Sequence, residues 1–142
     1  MSNSKAPKSP GIYVARILTD IPMPVTRDKR YVETCARVDN RNVKVGKAQN
    51  LAARQSNYWK DFDEENVVFI PLAILDDIQR AETAILRHLK KYRKRSPKGR
   101  LMDWLENIGT EAVIKEVYSV LTNEGIRHDA IWQNPHSVST VK

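Results

Sequence analysis

Residues 42–59, NVKVGKAQNLAARQSNYW, run from an extended stretch through a glycine into a helical one. Strand alternation puts Val43 and Val45 on one face and Lys44 and Gly46 on the other. The valine face suits packing against a helix, which leaves the Lys44 face for solvent or the floor of a cleft. Gly46 lets something large approach the backbone closely. Gln49 to Trp59 reads as a helix on which Arg54 and Tyr58, four residues apart, share a face. Singly, Lys44 fits an ordinary half-exposed strand and Tyr58 fits a core. Together they describe a polar cleft with a lysine, an arginine and an aromatic hydroxyl.

On the N-terminal side, GIYVARIL (11–18) is β-branched and aromatic and predicts a strand. Residues 19–30 carry Pro22 and Pro24 and read as a loop. Residues 30–38 fit a strand or a short helix, and 39–42 carry turn chemistry. On the C-terminal side, Val67 to Leu75 reads as a buried strand that is bulged or at an edge, because Pro71 lacks a ladder N–H. Asp76 and Asp77 stand where an N-cap belongs, before a helix expected to run to about Arg93. Ser96 to Gly99 breaks the chain. RLMDWLENI (100–108) and TEAVIKEVYSVLTNEG (110–125) then read as two more helices, the second ended by Gly125. This order predicts an α/β or α+β domain, a short sheet with helices against it. Residues 1–9 read as a disordered leader, 10–108 as the main domain, 109–125 as a helix packed on it, and 126–142 as a tail.

The helix after Asp77 contains an anomaly. Ile78, Ala81, Ile85, Leu89 and Tyr92 form its apolar stripe, and Glu82 falls inside that stripe. A carboxylate at the edge of a core must be paired, bind a metal or stay neutral. An ion pair with Arg54 or a hydrogen bond from Gln79 would satisfy it structurally. A metal ligand or a general acid/base at a cleft mouth is the functional alternative.

The chain has 142 residues, 41% of them hydrophobic and 29% charged, with a net charge of +7. That is enough for one domain with a real core. Between Arg87 and Arg100 lie eight basic residues and no acid: Arg87, Lys90, Lys91, Arg93, Lys94, Arg95, Lys98 and Arg100. Such a block points to a polyanion, nucleic acid first, or else to a solvated helix end. The single cysteine, Cys35, excludes an internal disulfide and any multi-cysteine zinc site, and it fits a reducing cytosol. No apolar run approaches the ~20 residues of a membrane span. A cleft of this composition suits phosphodiester chemistry. Arg54 would neutralise phosphate oxygens, a cation on Glu82 would stabilise the leaving oxyanion, and a tyrosine near positive charge would have a lowered pKa and activate water.

These residues resemble the GIY-YIG nuclease superfamily. Gly11, Ile12 and Tyr13 match the first motif. Lys44, Val45 and Gly46 stand for the second, with lysine in place of tyrosine as in a small phage and bacterial branch. Lys47 and the QNLAAR stretch resemble the start of the following helix, with Arg54 in the arginine slot and Tyr58 four residues on. Glu82 resembles the single metal-binding glutamate, and Asp103, Trp104 and Leu105 stand where that branch has glutamate, tryptophan and phenylalanine. Tyr13 and Lys44 are about thirty residues apart, a longer gap than usual in that family, so Thr19 to Asn42 is either an inserted loop or an added element.

The resemblance implies a three-stranded antiparallel sheet flanked by helices, with extra C-terminal helices. Tyr13, Lys44, Lys47, Arg54, Tyr58 and Glu82 would form a catalytic cleft. The implied activity is hydrolysis of DNA, double-stranded, with Mg²⁺ or Mn²⁺ on Glu82 and with Tyr13 or Lys47 assisting the water. The basic run would track the duplex backbone, in the cytoplasm of a bacterium or a phage-infected host. The alternatives are a weakly active or inactive nucleic-acid-binding module on the same scaffold, and a protein-interaction domain.

Overall fold

The computed structural model describes residues 5–132. In chain order the elements are β1 (Gly11–Ile17), β2 (Met23–Pro24), β3 (Arg37–Val38), β4 (Val43–Ala48), α1 (Leu51–Phe62), β5 (Val67–Ile74), α2 (Ile78–His88), β6 (Arg93–Arg95), β7 (Leu101–Leu105), α3 (Thr110–Asn123) and β8 (Asp129–Ala130). Six strands form one sheet in the order β6-β7-β4-β1-β5-β8, and every pairing is antiparallel. β2 and β3 pair separately. The architecture is α+β, as expected, but the sheet has six strands rather than three.

β1 is central and apolar on both sides. Ile12 and Val14 join Val43, Val45, Ile70 and Leu72 in a core closed by α2 and α3, through Ile78, Ile85, Val113 and Val117. Tyr13, Ala15 and Ile17 face the opposite core, closed by Leu51, Tyr58 and Phe62 of α1. The expected bulge in β5 is present. Ile12 pairs with Ala73 but Tyr13 pairs with Pro71, so Leu72 is the extra residue. Asp77 caps α2 through the Arg80 N–H, and Asn50 caps α1 through the Ala53 N–H. Gly125, at φ 67°, ends α3 as expected.

Three expectations give way. The helix opened by Asp77 stops at His88, and Arg93–Arg95 is a strand. Cations spaced a turn apart from Lys90 to Lys94 disfavour helix, and pairing with β7 supplies an alternative. Leu101–Leu105, expected as a helix, is that partner strand. Its short apolar run suits either period. The Ser96–Gly99 break, with Gly99 at φ 86°, is the hairpin turn that decides for strand. Residues 126–132 are anchored rather than a loose tail: β8 lies along β5 and the Ile131 N–H donates to Leu72 O.

The leader reading likewise fails for residues 5–9. Pro7 O and Ser9 O accept from the Ala52 and Leu51 N–H groups, and the Ala6 N–H donates to Gln55 Oε1. Residues 1–4 and 133–142, the rest of the expected leader and tail, lie outside the described residues. The segment Thr19 to Asn42 is turns, bends and irregular backbone around the short β2–β3 pair. It packs on the α1 side, with Met23 and Val25 on that core and Arg27 Nε donating to Asp61 O at 2.7 Å. No helix among the described residues is long and apolar enough to cross a membrane.

Candidate active site

β7 pairs with β4 only at Val43 and Lys44. Beyond Lys44 the outer edge of β4 has no neighbouring strand among the described residues, and a cleft of about 260 Å³ opens over it. Gly46, Lys47, Ala48 and Gln49 form its base, joined by Tyr13 of β1, Arg54 of α1, Ile78 and Glu82 of α2, and Asp103 of β7. The uncovered edge explains how residues from opposite faces of the sheet meet. Tyr13 and Arg54 belong to the α1 side, Lys47 and Glu82 to the α2 side, and no strand separates them.

Four of the six expected catalytic residues, Tyr13, Lys47, Arg54 and Glu82, therefore line one cleft. Lys44 and Tyr58 do not. They line an adjoining hollow of about 200 Å³ with Asn57, Asp61 and Trp104, and Arg54 borders both spaces. Lys44 Nζ lies 5.5 Å from the Tyr58 ring centroid, 5.9 Å from that of Trp104, and 3.6 Å from Asp103 Oδ2. Alternation places Lys44 opposite Trp104 on the α1 face, where Tyr58, Trp104 and Asp103 engage it, whereas Lys47 lies on the α2 face beside Glu82.

The large group that Gly46 admits is Tyr13. A Cβ at Gly46 would collide with the Tyr13 hydroxyl and ring. Tyr13 also stacks on Phe69, with centroids 4.6 Å apart. Its Oη is 2.8 Å from Tyr58 Oη and accepts from Arg54 Nη1 at 3.4 Å. This fixed chain of arginine, tyrosine and tyrosine runs from the cleft into the core.

The lowered tyrosine pKa expected from nearby cations does not hold. Burial raises the Tyr13 pKa well above its ordinary value, the neighbouring Tyr58 adds to the rise, and Lys44 and Arg54 only partly oppose it. Tyr58 is also raised, again chiefly by burial. Tyr13 is 0% exposed, so desolvation outweighs two cations held near the rim. Both hydroxyls stay protonated at neutral pH. Because the folded pKa values lie above the unfolded ones, this contribution to stability is complete below about pH 10 and is lost as the pH rises further. Denaturant melts between pH 8 and 11 are expected to show stability falling from about pH 10, with a shallower fall in Tyr13→Phe. An equal fall in Tyr13→Phe would contradict the assignment.

Glu82 is ion-paired, but with Lys47 rather than Arg54. Lys47 Nζ is 2.8 Å from Glu82 Oε1. Gln79 turns instead to Thr83. No group of three or more His, Cys, Asp or Glu side chains able to hold a metal occurs among the described residues. The cleft offers two carboxylates, Glu82 and Asp103. That set fits Mg²⁺ or Mn²⁺, which keep several waters and take one or two carboxylates with substrate phosphate oxygens. Asp103 had been noted only as a motif position. A charge in the middle of the apolar run LMDWL was the signal that it faces a polar space.

The basic block is not one helix face. Its members end α2, cross a 3₁₀ turn and form the β6–β7 hairpin beside β4, on the cleft's side of the sheet. Arg87, Lys90, Lys91, Lys98 and Arg100 are exposed. Arg93 is structural: Nε and Nη2 donate to Met102 O and Leu101 O at 2.7 and 3.4 Å. Lys94 is 3.9 Å from Glu106, and Arg95 Nη1 donates to Gly99 O at 2.6 Å.

The T5orf172 domain family matches residues 25–122, most of the chain. This domain occurs in phage and bacterial nuclease-like proteins. The match takes in Lys44, Lys47, Arg54, Tyr58, Glu82 and the basic hairpin, and it begins after β1, so Gly11 to Tyr13 lie outside it. No curated protein and no solved structure matches the chain.

Proposed function

We propose, on the premise that this chain belongs to the T5orf172 domain family, that its cleft hydrolyses nucleic-acid phosphodiester bonds, DNA first, with a divalent cation. The observation that carries this reading is the convergence of Tyr13, Lys47, Arg54 and Glu82 from four elements over one uncovered strand edge. The resemblance to the GIY-YIG superfamily supports it.

Arg54 holds non-bridging phosphate oxygens through its planar fork of donors. Tyr13, protonated and fixed between Tyr58 and Arg54, orients the attacking water or a phosphate oxygen by hydrogen bond. From the adjoining hollow Tyr58 positions Tyr13 through the hydrogen bond between their hydroxyls, and Lys44, over the Tyr58 ring, pairs with Asp103, so neither touches the scissile group. Glu82, with Asp103 nearby, would hold Mg²⁺ or Mn²⁺. When bound there, the cation supplies positive charge to the departing oxygen. The test is incubation with supercoiled plasmid: nicking is expected with Mg²⁺ or Mn²⁺ and is expected to stop when EDTA is added. Equal nicking in EDTA would contradict the reading.

The Lys47–Glu82 pair and the two neutral tyrosines favour a second reading, a binding module with little cleavage. Duplex binding without nicking under either metal would support it instead.

Either way, the exposed cations of the α2 end and the hairpin would follow the phosphate backbone. Binding is expected to weaken linearly in log–log plots against salt. Lys91→Ala and Lys98→Ala would each lower the slope by about 0.9 for a lost phosphate contact. Gel shifts across a salt series measure it, and unchanged slopes in both variants would move the interface elsewhere.

A further inference from the structure

Both carboxylates in the cleft are held by lysines. Lys47 Nζ stands 2.8 Å from Glu82 Oε1, and Lys44 Nζ stands 3.6 Å from Asp103 Oδ2. The Glu82 pair is the closer one, and its acid is the more enclosed, with 14% of the Glu82 side chain exposed against 36% for Asp103. A divalent cation approaching Glu82 meets an ammonium already in contact with its ligand oxygen. Like charge and the loss of a short, partly desolvated ion pair both oppose binding.

Lys47 differs from Lys44 in where it can go. It rises from the uncovered edge of β4, and 35% of its side chain is exposed. Among the described residues no aromatic face pins it, whereas Tyr58 and Trp104 flank Lys44. A phosphate held by Arg54 in the same cleft presents Lys47 with an alternative anion within the sweep of a flexible four-carbon stem.

We propose that Lys47 couples the two ligands of the cleft: Glu82 becomes available to a divalent cation when a nucleic-acid phosphate draws the Lys47 ammonium away. The proposal rests on the reading of Glu82 as the metal ligand. Its consequence is that Lys47 neutralises the Glu82 carboxylate in the free protein, and the cation and the nucleic acid load together. Coupling of this kind is reciprocal, so the cation tightens nucleic-acid binding by the same factor.

The test is Mn²⁺ binding followed by electron paramagnetic resonance, with and without a short DNA duplex carrying phosphorothioate linkages. Glu82→Gln serves as the baseline that removes Mn²⁺ bound elsewhere or by the duplex. In the wild type, Glu82-dependent Mn²⁺ binding is expected to be on the order of tenfold tighter with the duplex than without it. Lys47→Met is expected to bind Mn²⁺ without the duplex as tightly as the wild type does with it. Lys47→Arg keeps the cation and is expected to keep the dependence on duplex, a second readout should the methionine variant fail to fold. Equal Glu82-dependent affinity with and without duplex in the wild type overturns the coupling and leaves the metal cleft standing. A signal identical to the Glu82→Gln baseline in every arm overturns the metal cleft, and the coupling with it.

Discussion

Glu82→Ala is expected to lower phosphodiester cleavage by about a hundredfold to a thousandfold, the usual loss when one group stabilising transition-state charge is removed. Among the described residues the cleft holds one other carboxylate, Asp103, which is more exposed than Glu82 and so leaves a single acid where two would share the cation. The effect should fall on chemistry rather than on folding. Lys47, with 35% of its side chain exposed, can turn to water once its partner is gone, so the stability change should be about 1 kcal/mol or less. Plasmid nicking, a thermal melt and a gel shift on the same preparation separate these effects. Nicking should collapse, while melting holds and duplex binding measured in EDTA, where no cation is coupled to it, holds as well. Nicking that survives in a folded variant would take Glu82 out of the reaction.

Gly46→Ala is expected to damage stability and activity together. The new methyl would land on the Tyr13 hydroxyl and ring. Tyr13 has no room to yield, because Phe69 stacks on it at 4.6 Å and Tyr58 meets its edge with centroids 5.5 Å apart. Overpacking of a filled core costs about 1–3 kcal/mol. Here the displaced ring also carries the hydroxyl that Arg54 and Tyr58 engage. Denaturant melts should show the loss, and nicking should fall even where the variant remains folded. Putting Tyr13→Leu into the Gly46→Ala background should cost less stability than Tyr13→Leu alone, since the two sites share one space. Strict additivity would mean that Gly46 does not exist to admit Tyr13.

What the sequence disclosed and what it hid follow from the range of the interactions. β4 and the Arg54–Tyr58 face were legible because alternation and four-residue spacing are local. Glu82 stood out because a carboxylate inside an apolar stripe is visible from spacing alone. Its partner was not visible: Lys47 lies thirty-five residues away, and the contact exists only because β4 lacks a neighbour beyond Lys44. The expectation of helix over 100–108 fails because a run such as LMDWL satisfies either period, and the turn at Ser96–Gly99 together with pairing to β6 and β4 makes it a strand. The tyrosine pKa went the wrong way for a related reason. Nearby cations can be counted along a chain, whereas the burial that outweighs them is a property of the packed core. Alternation separates Lys44 from Lys47, but the hollow that Lys44 shares with Tyr58 and Trp104 depends on long-range packing.

The most direct test of the account is a crystal of the protein grown with a DNA duplex and Mn²⁺ and measured at the manganese edge. The account predicts an anomalous peak against the Glu82 carboxylate, a backbone phosphate between it and the Arg54 guanidinium, and Tyr13 Oη facing that phosphate. A duplex bound away from the uncovered edge of β4, with no manganese at Glu82, would contradict it.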